Sequence, residues 1–149
     1  MQRRQWLGTA AAITVLPRVG WGQSPSPSLE AALAAFTGGA PVREGRVTLD
    51  IPPLVENGNA VPVTVAVPGL EVAQVRRLAL FTERNPQPEV LVFTPGHLSG
   101  RAAFSTRIRL ATSQTVVAVA HLADGSPQGS YWQHPVTVVV TLAACVEGG

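Results

Sequence analysis

The chain has 149 residues, 46% of them hydrophobic and 13% charged, a balance that excludes a wholly disordered chain and supports one globular domain with a real core. Its formal charge of +2 comes from 11 arginines set against nine acids, with no lysine. Arg3, Arg4 and Arg18 all fall in the first 22 residues; without them eight arginines face nine acids, a net −1, and no basic patch points to nucleic acid.

Those first residues read as a targeting segment in three parts. Gln2-Arg3-Arg4-Gln5-Trp6-Leu7-Gly8 resembles a twin-arginine export signature. Trp6 to Leu16 is an uncharged apolar run of 11 residues, too short to span a bilayer, which takes about 20. Gly20 and Gly22 put small residues at −3 and −1 of a cleavage before Gln23, and Pro17 argues against a buried N-terminal helix. The expected division is therefore a signal peptide over 1–22, a folded domain over 23–142 and an arm over 143–149. The expected location is the periplasm, reached by the twin-arginine route, with no membrane attachment once the signal is removed.

Ser24-Pro25-Ser26-Pro27-Ser28 opens the domain as a flexible leader, with Ser26 predicted to cap a helix that has Pro27 at its first position. Leu29, Ala32, Leu33 and Phe36 fall at i, i+3, i+4 and i+7, one apolar face of a helix of about ten residues. Gly38-Gly39 ends it. The rest alternates with period two. Val47, Leu49 and Ile51 share one face, as do Val61, Val63, Val65 and Val67, and further strands are predicted over Val75–Glu83, Glu89–Thr94, Ala102–Leu110, Thr115–Ala123 and Tyr131–Leu142. Asn57-Gly58-Asn59, Pro68-Gly69, Asn85-Pro86-Gln87-Pro88, Pro95-Gly96, Ser99-Gly100 and Asp124-Gly125-Ser126-Pro127 supply the turns. The fold class expected from about seven or eight short strands so punctuated is all-β, an immunoglobulin-like antiparallel β-sandwich with one short N-terminal helix. A chain with one cysteine has no inter-sheet disulfide, so burial must hold the sheets together, at about 25 cal/mol per Å². Arg107 and Arg109 alternate with Ile108 and Leu110 and are expected on a solvated face. Val116-Val117-Ala118-Val119-Ala120 is apolar on both faces, as a central strand or a protein interface would be, and the Val117 neighbourhood is the first choice for a partner surface.

Little here looks like catalytic machinery. His97, His121 and His134 have no ligand spacing on any one element, so a metal site is not expected. The acids are scattered, with no pair for general acid–base work. Asn57-Gly58-Asn59 leads from strand to strand rather than into a helix, so it is no phosphate loop. The residue that stands out is Cys145, the single cysteine, which follows the β-branched run Val136 to Thr141. A strand ending near Leu142 leaves its thiol roughly 10 Å past the sheet, at ~3.3 Å per residue. A disordered end without a role, a cysteine-linked homodimer and a thiolate presented on an arm are the three readings of such a residue.

Several stretches resemble one known family. Asp50-Ile51-Pro52-Pro53-Leu54-Val55-Glu56-Asn57-Gly58-Asn59-Ala60-Val61-Pro62-Val63, Asn85-Pro86-Gln87-Pro88-Glu89-Val90, Leu98-Ser99-Gly100-Arg101 with Ser105-Thr106-Arg107-Ile108-Arg109-Leu110, and Gln114 to Ala120 are similar, in order, to segments of SoxY. This is the sulfur-carrier subunit of the Sox thiosulfate-oxidising system. The resemblance implies a carrier without turnover of its own and without a cofactor. Its cysteine, Cys145 here, is the covalent attachment point for thiosulfate or other reduced sulfur. It further implies a SoxZ-like small β-sandwich partner, a haem-containing enzyme that conjugates the sulfur and a hydrolase that releases sulfate. The family tail has glycines on both sides of its cysteine, whereas this chain has Ala143-Ala144 before Cys145 and Val146-Glu147 after it. The substituted residues stiffen the tether, and Glu147 favours the protonated thiol. A non-catalytic accessory module that keeps only the partner interface is the alternative expectation.

Overall fold

The structure is a computed structural model that describes residues 26–144. The signal peptide expected over 1–22 and Cys145 with the rest of its arm lie outside the described residues. In chain order the elements are α1 (Leu29–Thr37), β1 (Val42–Glu44), β2 (Thr48–Asp50), β3 (Leu54–Asn57), β4 (Val61–Ala66), a 3-10 turn at Val72–Gln74, β5 (Val75–Thr82), β6 (Glu89–Phe93), β7 (Ala103–Ile108), β8 (Gln114–Leu122) and β9 (Ser130–Leu142). No helix among the described residues is long and apolar enough to cross a membrane.

The strands form two sheets that face each other as an immunoglobulin-like sandwich. The larger runs β1-β9-β8-β5-β6, with β3 also on β9, and the smaller runs β2-β4-β7. Period-two alternation decides which side chains meet between them. Val61, Val63 and Val65 of β4 and Leu49 of β2 point inward to Leu78 and Leu80 of β5, Val116, Ala118 and Ala120 of β8, and Val138 of β9, all within one core. Arg107 and Arg109 are exposed while Ile108 and Leu110 are buried, as their alternation requires.

β8 and β5 are buried on both faces because α1 covers the outside of the large sheet. Phe36 packs with Ala79, Phe81, Val117, Val119 and Tyr131, and Leu29, Ala32 and Leu33 line the rim of this second cluster. The Phe36 ring meets Phe81 at 5.6 Å and Tyr131 at 6.0 Å, both edge-on, the arrangement aromatic quadrupoles favour. The surface around Val117 expected for a partner is therefore filled by the chain's own helix, and Val117 is only 4% exposed. The helix cap also differs from expectation. Ser28, not Ser26, is the cap residue: its Oγ accepts the Ala31 N–H at 3.1 Å, which places Pro27 just before the helix. Gly38 closes the helix at φ +64, a left-handed position that glycine adopts without steric cost.

β1 and β3 were not legible as strands, and both pair in parallel with β9 within an otherwise antiparallel sandwich. β1 joins Tyr131 to Gln133 and β3 joins Val139 to Leu142. Between them lies Pro135. Gln133 carbonyl and Val139 N–H both bond away from β8, to Gly45 and Pro53, so the imide nitrogen of Pro135 turns to that same outer edge. There the edge carries no partner strand, which is where a residue without N–H is tolerated within a sheet.

Candidate functional site

The site is the point where β9 hands the chain on toward Cys145. Three parts of the sequence meet there. The Asn57-Gly58-Asn59 turn is held in shape by Asn57 Oδ1, which accepts both the backbone N–H and the side-chain amide of Asn59 at 2.9 Å. Gly58 N–H donates to the Leu142 carbonyl at 2.8 Å, Leu110 N–H donates to the Gly58 carbonyl at 2.9 Å, and Ala144 N–H donates to the Leu110 carbonyl at 3.1 Å. Thr141 Oγ1 adds a bond to the Glu56 carbonyl at 3.2 Å, and Ser113 Oγ accepts the Val140 N–H at 2.8 Å. The last described residue, Ala144, is buried at 8% exposure. The arm expected to begin at 143 is thus tied to the domain through Ala144.

Leu110, which holds both Gly58 and Ala144, is itself fixed from the other side. Asn85 Nδ2 donates to the Arg109 carbonyl at 2.8 Å and Asn85 Oδ1 accepts the Ala111 N–H at 3.0 Å, so one side chain brackets Leu110. Gln114 Nε2 donates to Asn85 Oδ1 at 2.9 Å and to the Thr112 carbonyl at 3.0 Å, while Gln114 Oε1 accepts the Arg84 N–H at 2.8 Å. Gln114 is 3% exposed and satisfied on both ends, as a buried amide must be. Beside it the Glu83 carboxylate accepts the Thr115 N–H at 3.1 Å. That backbone bond, then the side-chain bond to Thr115, holds Glu83 below the usual carboxylate range, with nearby Arg84 adding to the effect.

Asn85 and Gly58 are read in sequence as turn residues and Leu110 as a strand residue, while Gln114 falls just before the expected Thr115–Ala123 strand. The available signal was that all four belong to the stretches carrying the family resemblance, although Gly58, Asn85 and the Leu110–Gln114 segment lie far apart along the chain. Their groups are amides and carbonyls: they hold a backbone in place rather than transfer protons.

The three histidines lie elsewhere. His97 is exposed in the loop after β6, and His134 Nδ1 lies 3.3 Å from the Val47 carbonyl. His121 stacks on Tyr131 at 4.3 Å with Nε2 2.7 Å from the Gln128 carbonyl, and its buried Nδ1 has no partner. Burial lowers the His121 pKa; the Gln128 carbonyl opposes that, while Arg76 and Arg77 reinforce it. Among the described residues no three His, Cys, Asp or Glu side chains are grouped to hold a metal ion.

The fold and site define a small β-sandwich domain that anchors, by backbone hydrogen bonds, the segment leading to its one cysteine. The family described as Sulfur oxidation protein SoxY matches residues 33–145. The chain belongs to that family and is a sulfur-oxidation protein of the Sox system. No curated protein matches the sequence. Among solved structures, two forms of superoxide reductase (neelaredoxin) from Ignicoccus hospitalis are similar in shape. One has 16% identity and a TM-score of 0.48, covering 66% of this chain and 82% of that one. The other has 21% identity and a TM-score of 0.44, covering 74% and 86%.

Proposed function

We propose that the protein is a periplasmic sulfur carrier in which the Cys145 thiolate is the covalent attachment point for thiosulfate or another reduced sulfur species. The observation that carries this reading is the extent of the family match, which runs to residue 145, the single cysteine of the chain. The thiolate is the form that reacts. With thiosulfate, its sulfur and the terminal sulfur of the anion form a disulfide bond while two electrons pass to a haem-containing partner. Water then cleaves the sulfonate from the adduct in a hydrolase, releasing sulfate and two protons and leaving a persulfide on Cys145. In this scheme the partners supply the electron acceptor and the hydrolysis; the domain delivers the sulfur to each of them at high effective concentration. A SoxZ-like sandwich is its structural partner in this scheme, and the twin-arginine segment over 1–22 takes it to the periplasm.

Intact-mass measurement of the protein from cells grown on thiosulfate tests the reading. The expected result is a chain beginning near Gln23 with sulfur-containing adducts that a reductant removes, and Cys145→Ser carries none and does not support thiosulfate oxidation. A bare Cys145 during active oxidation refutes the carrier role and favours an accessory module. A mass that halves on reduction identifies a cysteine-linked homodimer instead.

A further inference from the structure

We propose that Gly58 is a positioning residue that fixes the point from which the Cys145 segment leaves the domain; the purpose given to it rests on the carrier reading. Gly58 is buried and its φ is not in the left-handed range, so backbone freedom does not explain the glycine. Close approach does. A Cβ at this position would meet the Leu110 carbonyl oxygen at 2.5 Å, the Ala144 nitrogen at 3.1 Å and Val140 Cγ1 at 3.1 Å. Two of those three atoms belong to backbone and cannot swing aside. Only a residue without a side chain lets the turn close against Leu110 while Leu110 accepts the Ala144 N–H.

The consequence is a defined reach. With Ala144 tied to Leu110, Cys145 is one peptide unit from a fixed atom. With that tie broken, the last anchored residue becomes Leu142, and two more residues stand between the anchor and Cys145. Each adds up to about 3.5 Å, so the thiol gains roughly 7 Å of reach. A carrier whose partners dock on the sandwich gains effective concentration from a short, fixed root and loses it as the root lengthens. Asn85 serves the same end from the other side, because it brackets the Leu110 backbone.

The test uses the full chain with spin labels on Cys145 and on a cysteine introduced by Arg107→Cys, an exposed position on β7. Pulsed electron resonance gives the distance distribution between them, and amide exchange is followed at Ala144 and at Val119. The proposal expects Gly58→Ala to broaden the distribution by about 7 Å and to speed Ala144 exchange at least tenfold. Val119, in the centre of β8, keeps its protection, which separates loss of anchoring from general destabilisation. Asn85→Ala, which adds no atoms, gives a smaller change in the same direction and serves if Gly58→Ala does not fold. An unchanged distribution with unchanged Ala144 exchange in both variants overturns the proposal. Sulfur adducts on wild-type Cys145 are scored separately, so their absence refutes the carrier reading without altering these two measurements.

Discussion

Replacing Phe36 by alanine tests whether α1 is an integral layer of the fold. Phe36 is 6% exposed, makes edge contacts with Phe81 and Tyr131, and carries the Arg77 guanidinium 4.5 Å from its ring centroid. Truncating a buried phenylalanine costs ~3–5 kcal/mol. The cluster beneath α1 has only five other buried members and lies near the surface, where neighbours can relax, so a loss of ~3 kcal/mol is expected. For a domain of this size that is a fall in Tm of about 12 °C. Urea unfolding should show a lower midpoint with unchanged slope, since the same surface is exposed on unfolding. A double-mutant cycle with Phe81→Ala should give ~1 kcal/mol of coupling for the ring pair. A loss below about 1 kcal/mol would refute the reasoning: α1 would then not be packed on the sheet, and the Val117 face would be open to a partner after all.

The buried His121, whose Nδ1 has no partner, predicts a pH dependence. Its folded pKa lies below the unfolded value, so the unfolded chain binds the proton more readily. Stability should be full above about pH 6.5 and fall as the pH drops toward the folded-state pKa, a decline that His121→Gln removes in urea titrations at pH 7.5 and 5. Glu83 and Asp124, both held low by hydrogen bonds, from Thr115 and Ser126 respectively, contribute above their unfolded values and lose that contribution only in stronger acid, separating the two windows. Gly129→Ala should cost at least ~2 kcal/mol by thermal unfolding. Its φ is +72, and an added Cβ would press on the Leu122 carbonyl and on His121 Nε2. Gly69→Ala, at φ +75 with nothing within 4 Å, should cost only about 1 kcal/mol, the left-handed penalty alone.

Local pattern was enough for much of this. Alternation of Val, Leu and Ile with polar residues defines the inner faces of β2 and β4 and of the Ile108 end of β7, because period two leaves no other way to bury them. The i, i+3, i+4, i+7 spacing from Leu29 to Phe36 likewise defines the buried face of α1. Cys145 stands out from the sequence because it is the only cysteine and follows the last strand. The cap at Ser28 rather than Ser26 turns on which hydroxyl reaches a helix N–H, and both serines satisfy the local rule.

Tertiary structure decided what covers the second face of β8, since apolar residues at Val117 and Val119 are equally consistent with a helix or a partner above them. It also decided that β1 and β3 are strands at all. β2 is as short, but Val47, Leu49 and Ile51 carry its alternation past both ends, whereas β1 and β3 have no such run and their pairing depends on the outer edge of β9. The anchoring of Ala144 is a property of the fold in the same sense: Gly58, Asn85 and the Leu110–Gln114 segment are separated along the chain by stretches of strand, and each looks ordinary alone. Hydrogen bonds join groups that lie close in space, and only the folded sandwich brings these together.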